Sequence, residues 1–363
     1  MDGTVLAPET RARLAETAAR YWLAYETGLS MRRVKQLVQQ VGRTGMGGLY
    51  EVLQTEPELW RVALGLEEAE REQLLTRYEA LEAVGQRLWA WEQAGIGLLH
   101  WDEAAYPETL TRHLEPEARP LLISYVGDIG LLELPAVLAL AGDPPDATVI
   151  AWTAETLTAL GAEGVLPMLV ARPGFAVEVA RQLLRAEAPL ALVIPQGLAA
   201  YSPPPALARA LMAGRGLLLS PLRPDHPLVT ADSRLAAHIV GFAQALANAL
   251  LLITPPYPPG LLPEQPCFLR PGLPKTVGCQ TYFTDVEEFF LRLIETPLAA
   301  MMAHLPEAEE AAASPSAPTA APALPFPDEP APDPETLIAR LSELGHMPEA
   351  LKARLRDRTA GST

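Results

Sequence analysis

Apolar positions along the chain follow two different periods. Between residues 10 and 95 they recur at helical spacing. "TRARLAETAARYWLAYET" sets apolar residues three and four apart and stops at Gly28. "MRRVKQLVQQVG" predicts a second, shorter helix closed by Gly42. "EEAEREQLLTRYEALEAVGQRLWAWEQAG" predicts a longer one closed by Gly95. From Gly95 onward the runs become short and nearly continuous: "IGLLH", "LLISYV", "AVLALAG", "VLPMLV", "LALVIP", "GLLLSP" and "ALLLIT". Helical stretches separate several of them, namely "AETLTALGAEG", "FAVEVARQLLRAEA", "PALARALMAG" and "DSRLAAHIVGFAQALA". Strands apolar on both faces and alternating with helices predict an α/β layer with a doubly wound, mostly parallel sheet. "CFLRPG" and "VEEFFLRLIE" complete it near residue 300.

This divides the chain into a helical domain over 1–95 and an α/β domain over 96–300. Residues 301–334 are rich in Pro, Ala and acid and cannot bury enough apolar surface to order, so a disordered linker is expected there. Residues 335–363 offer two short helices, with Asp333 as an N-cap and Gly345 as a stop, which need a surface to dock on. The formal charge of −16 argues against a protein that wraps duplex DNA on a broad basic face. Part of the acid, however, lies in the terminal tail that begins with the linker, at Glu307, Glu309, Glu310, Asp328, Glu329, Asp333 and Glu335. A local arginine site in the folded part is compatible with that balance. No basic, then apolar, leader is visible, and the longest apolar runs, such as Ala245–Ile253, fall short of the ~20 residues that cross a bilayer. A cytoplasmic protein with no membrane partner is the expectation. Cys267 and Cys279 form no CxxC pair and read as reduced thiols.

Enzyme signatures are missing. No GxSxG elbow, phosphate-binding GxxxxGK, HExxH or Cys/His metal spacing occurs, so neither an enzyme nor a cofactor is expected. His100, His113, His226 and His238 stand singly, and Trp89, Trp91 and Trp101 read as packing residues. Asp102 and Glu103 form an acidic turn with no supporting feature for proton transfer. Ligands of open α/β sheets bind where the strands end, and here those loops are Ala141-Gly142-Asp143, Ala171-Arg172-Pro173-Gly174, Pro195-Gln196-Gly197 and Ser220-Pro221. Arg172 is the only cation in them and precedes a helix start, where anions are favoured. A phosphate held by Arg172 and Gly174, with Gly142, Gly197 and Ser220 in neighbouring loops, is the candidate site. Its alternative is an exposed arginine beside a tight turn.

The order of these loops resembles the DNA-processing protein A family (DprA/Smf) over roughly residues 96–293. "WDEAAYPETLTRHLEPEARPLLISYVGDIGLLELPAVLALAG" is similar to the opening of that family's Rossmann-like domain, with Tyr106, Pro107, Leu110, Pro120, Gly127, Asp128, Pro135, Val137 and Gly142 in the motif positions. "PQGLAAYSP" resembles its GTGLDxxYP, keeping Gly197, Leu198, Tyr201 and Pro203. "GRGLLLSPLRPDHP" keeps Gly216, Ser220 and Pro227, and "ALANALLLITP" follows GLSDALLVVEA. "GLSMRRVKQLVQQVG" is similar, more loosely, to the helical hairpin of the family's N-terminal helix-hairpin-helix or SAM-like region. The resemblance implies a Rossmann-like fold, single-stranded DNA as partner, a homodimer, and delivery of the strand to a RecA-type recombinase during natural transformation.

The departures fall on polar loop residues. The family's GSR is Gly142-Asp143-Pro144 here, and its SGxARGID is Met168 to Ala176, with bulky apolar residues, an inserted Pro173 and no aspartate. The RNRxIAG helix start is Ile239-Val240-Gly241-Phe242, and the glutamates of the SE and VVEA segments are Pro221 and Thr254. The SGSLITA segment is largely deleted, and GIG is Gly28-Leu29-Ser30. Two readings follow: a DprA-like protein with weakened strand binding through Arg172, or a DprA-like scaffold that has lost DNA and works through its linker and terminal helices. The related lysine-decarboxylase-like LOG enzymes need a PGGxGTxxE loop that is not present.

Overall fold

In the computed structural model of the chain, residues 8–44, 47–229, 234–257, 265–270, 282–283 and 289 are described. The linker expected over 301–334, the helices expected over 335–363 and most of "VEEFFLRLIE" lie outside them. Among the described residues, the N-terminal part folds as α1 (Pro8–Tyr25), α2 (Met31–Thr44), α3 (Leu49–Leu53), α4 (Pro57–Leu64), α5 (Glu68–Arg77) and α6 (Ala80–Gln93). Their shared core is built on Trp22, Leu23, Leu37, Trp60 and Leu74, all at or near zero exposure. The long helix expected over 67–95 is split in two. The Trp22 indole donates to the Arg77 carbonyl at 2.8 Å, and Tyr78 packs edge-on against Trp22 with ring centroids 6.2 Å apart. The Leu81 amide then turns back to the Tyr78 carbonyl, 2.9 Å away, so the helix restarts one turn later.

The second part begins with β1 (Gly97–His100), α7 (Glu108–His113) and β2 (Leu122–Gly127). There follow β3 (Ala136–Ala141), α8 (Ala147–Ala162), β4 (Leu166–Val170), α9 (Phe175–Arg185), β5 (Leu190–Val193), α10 (Pro205–Met212) and β6 (Gly216–Ser220). It closes with α11 (Arg234–Leu246), β7 (Ala249–Thr254), β8 (Cys267–Leu269) and β9 (Tyr282–Phe283). These strands form one sheet in the order β1-β2-β6-β5-β4-β3-β7-β8-β9. The β2–β6 and β1–β2 pairings are antiparallel and all others are parallel. Each expected apolar run became a strand, and the sheet is mostly parallel as read.

Alternation along the strands explains why these runs had to be apolar on both faces. Leu138, Met168, Val193 and Leu219 point into a core shared with α11. Val137, Leu169, Leu192 and Leu218 point into the opposite core, shared with α8 and α9. α9 fits its side with Ala176, Val179, Ala180 and Leu183, one helical stripe. The chain walks outward from β3 to β6 under the first set of helices, then returns through α11 on the other face to lay β7 beside β3. A chain that winds one way and then reverses leaves its switch point between β3 and β7.

One expectation is corrected. Cys267, fully buried in β8, is disulfide-bonded and not a reduced thiol. The chain's only other cysteine, Cys279, lies outside the described residues. No described helix is long and apolar enough to cross a membrane.

Candidate nucleic-acid interface

The parallel strands β3 to β7 all end on one edge of the sheet, and the loops leaving them decide what that edge can bind. At the switch point the loop after β3 is stitched to the loop after β7. The Gly142 amide donates to the Thr254 carbonyl at 2.7 Å, the Asp143 amide to the Pro255 carbonyl at 3.1 Å, and the Thr254 hydroxyl to the Asp143 carbonyl at 2.6 Å. A Cβ on Gly142 would run into the Pro256 carbonyl oxygen. The close approach that this glycine permits is therefore made by the protein's own backbone. The next helix, α8, is N-capped by the Asp146 carboxylate, which accepts from the Val149 amide at 2.9 Å. A resident carboxylate already fills the role an anion would take there.

The loop after β5 is closed in the same way by the loop after β6. The Gly197 amide donates to the His226 carbonyl at 2.8 Å, the Ala199 amide to Pro224 at 2.8 Å and the Val229 amide to Pro195 at 2.8 Å. A Cβ on Gly197 would collide with the carbonyls of Arg223 and Pro224. Ser220 is fully buried, and its hydroxyl accepts from the Leu222 amide at 3.2 Å to shape that turn. Gly142, Gly197 and Ser220 were expected to face a phosphate. The amides of both glycines are spent inside the protein and Ser220 is out of reach of a surface ligand.

The end of β4 is different. Gly174 has φ 90° and ψ −124°, a conformation open to glycine, and no side chain caps the α9 start behind it. A Cβ at Gly174 would meet nothing within 4 Å. Arg172 leaves this loop half-buried and donates from Nη2 to the Ala236 carbonyl in the first turn of α11, 3.2 Å away. Because α11 runs back from β6 to β7, its N-terminus lies on the same edge as that of α9. Arg172 thus stands between two helix starts, with guanidinium donors beyond the one used on Ala236. Glu178, the acid in the first turn of α9, is paired with Arg181 at 2.7 Å. Of the five residues singled out in the sequence, only Arg172 and Gly174 share an open position.

A solved structure of DNA processing protein A from Streptococcus pneumoniae matches this chain with a TM-score of 0.51 at 14% identity, covering 77% of this chain and 92% of that one. The fold is DprA-like. A Helicobacter pylori DNA processing protein A structure, described for its single-stranded DNA binding mode, matches at 15% identity with a TM-score of 0.41, covering 55% of this chain and 96% of that one. The Moco carrier protein of Chlamydomonas rheinhardtii matches at 14% identity and a TM-score of 0.27, over 46% of this chain and 98% of that one. No family model and no curated protein matches the sequence.

The DprA-like sheet also touches the helical layer, through contacts that residue patterns did not announce. Lys35 on α2 is 8% exposed, and its ammonium donates to the carbonyls of Pro116 and Arg119, the latter at 2.7 Å. Burial holds its pKa below the ordinary lysine range. Arg223, in the loop that closes over Gly197, lies 5.9 Å from the Tyr25 ring centre on α1. Trp91 and Trp101 pack between the layers, consistent with their reading as packing residues.

Proposed function

We propose that this DprA-like chain binds single-stranded DNA at the open end of β4, with a phosphate between Arg172 and the α9 start. The observation that carries the reading is the Arg172 guanidinium beside two helix N-termini, at an edge whose neighbouring loops are sealed by their own backbone. One arginine and one helix start make a shallow phosphate site, so binding is weak and sequence-tolerant and shows a small salt dependence. By the family resemblance, the bound strand is then passed to a RecA-type recombinase by a homodimer. No step in this role makes or breaks a covalent bond, so the chain acts without catalysis or cofactor.

The test is a titration of wild type and Arg172→Ala with labelled oligonucleotides at two salt concentrations. The variant should bind every sequence more weakly by a similar factor, with the slope of log K against log salt reduced by about 0.7. No detectable wild-type binding at low salt would refute the proposal. The second reading, a DprA-like scaffold without DNA, is favoured by the self-sealed Gly142 and Gly197 loops. It expects truncation after Leu305 to abolish the protein's interactions while leaving the sheet folded. Full retention of those interactions would count against it.

A further inference from the structure

The outward row of α2 carries a charge pattern that the helix does not need for its own stability. Arg32, Gln36, Gln39 and Arg43 are all exposed, and their spacings of four, three and four residues set them on one narrow stripe. The stripe spans about 16 Å of helix at ~1.5 Å per residue. α2 contains no carboxylate at all, in a chain whose formal charge is −16. Its two other cations are already used inside the protein. Arg33 forks onto Glu70 with bonds of 2.7 and 2.6 Å, and Lys35 holds the backbone carbonyls of the loop before β2. Arg43 sits in the last turn, where a cation suits the helix dipole, but Arg32 sits in the first turn, where a cation opposes it. Neither has an ion-pair partner among the described residues.

We infer that this row is a second contact for single-stranded nucleic acid, two phosphates lying on Arg32 and Arg43 and the Gln36 and Gln39 amides facing the bases between them. The placement of α2 favours a flexible strand. Lys35 ties the helix to the loop that leads into β2, and β2 begins beside the end of β6, on the sheet edge that bears Arg172. A single strand can pass from that edge onto the helix and change direction at little cost, whereas bending a duplex carries a deformation energy. The inference rests on the reading of that edge as a strand-binding site but uses different residues, so the two can fail separately.

The experiment uses the full chain and an oligothymidine of about 20 nucleotides, long enough to span both contacts. Wild type, Arg32→Gln with Arg43→Gln, and Arg172→Ala are titrated by fluorescence anisotropy at several salt concentrations, with a duplex of equal length as a parallel arm. The double variant should bind about tenfold more weakly at low salt and flatten the salt slope by about 1.4, two phosphate contacts at ~0.7 each. All three substituted side chains leave the cores untouched, and an unchanged thermal melt confirms it. A double variant that titrates like wild type overturns the α2 contact and leaves the Arg172 site standing. A normal double-variant loss with no effect of Arg172→Ala does the reverse for the edge site. If the double variant loses duplex binding more than single-strand binding, the choice of partner is wrong. Absence of binding by wild type removes both.

Discussion

Acid should loosen the contact between the helical layer and the sheet, and His100 sets the size of the effect. The imidazole, at the end of β1, is 3% exposed, and its Nε2 has no hydrogen-bond partner. The nearest carboxylate oxygen, on Glu103, is 3.9 Å away. His100 faces a space of ≈10 Å³ lined with Arg20, Val34, Val38 and Leu122, room for about one water. Burial, with the Arg20 guanidinium adding repulsion, pushes the His100 pKa down from 6.5 to about 3. The folded chain therefore keeps His100 neutral where the unfolded chain takes up a proton. Its stabilising contribution is complete above pH 6.5, fades as pH falls and levels off near pH 3.

Between pH 7 and pH 5 this single linkage amounts to about 2 kcal/mol, from 1.36 kcal/mol per pH unit over the interval in which only the unfolded state is protonated. Urea unfolding of wild type and His100→Gln at pH 7, 6 and 5 isolates it. All other side chains are common to the two chains, so their contributions drop out of the difference above pH 5. Glu103 itself is held above the usual carboxylate range mainly by burial, so it contributes with the opposite sign at lower pH, which is why the window stops at pH 5. The wild type should lose about 2 kcal/mol more than the variant across that interval. Parallel pH profiles for the two chains would refute the argument, since they would mean that His100 is as free to protonate when folded as when unfolded.

Other consequences follow from contacts described above. Lys35→Met should cost about 2–3 kcal/mol in urea unfolding, because carbonyls around Pro116 and Arg119 lose a charged donor; a loss under 0.5 kcal/mol would show that water replaces it. Gly142→Ala and Gly197→Ala should each destabilise by about 1–3 kcal/mol, since the new methyl meets fixed backbone carbonyls. Gly241→Ala, inside α11 with nothing within 4 Å of the new methyl, should instead stabilise by about 0.5–1 kcal/mol, and thermal melts would separate the two classes.

Strands were legible in this chain because burial on both faces leaves no room for polar residues: Val165 to Val170 reads as a strand from its composition alone, and β4 covers Leu166–Val170. α9 was legible for the same kind of reason, its stripe of Ala176, Val179, Ala180 and Leu183 repeating at 3.6 residues. The break between α5 and α6 was not, because it is made by Trp22, some 55 positions away in the chain, capturing the Arg77 carbonyl. α3 was missed because five residues carry too few turns for a period to show. Loops presented a different difficulty. A glycine at the end of a strand announces that something approaches the backbone closely, and the letters do not say whether that is a phosphate or a carbonyl.

Gly142 and Gly197 carry that ambiguity to its physical resolution. Each stands at a position where the resembled DprA motifs carry a glycine, among loop residues that differ from those motifs. Glycine is required there without any ligand, since Pro256 at one position and Arg223 and Pro224 at the other leave no space for a Cβ. Gly174 is the contrasting case. Its φ of 90° excludes other residues by backbone conformation alone, while the space around it stays empty and the α9 amides behind it stay uncapped. A glycine required by conformation in an open loop leaves its surroundings available to a ligand, whereas a glycine required by a neighbouring carbonyl does not. That distinction, and not the count of motif residues, is what makes the Arg172 loop the place on this DprA-like edge for the proposed phosphate.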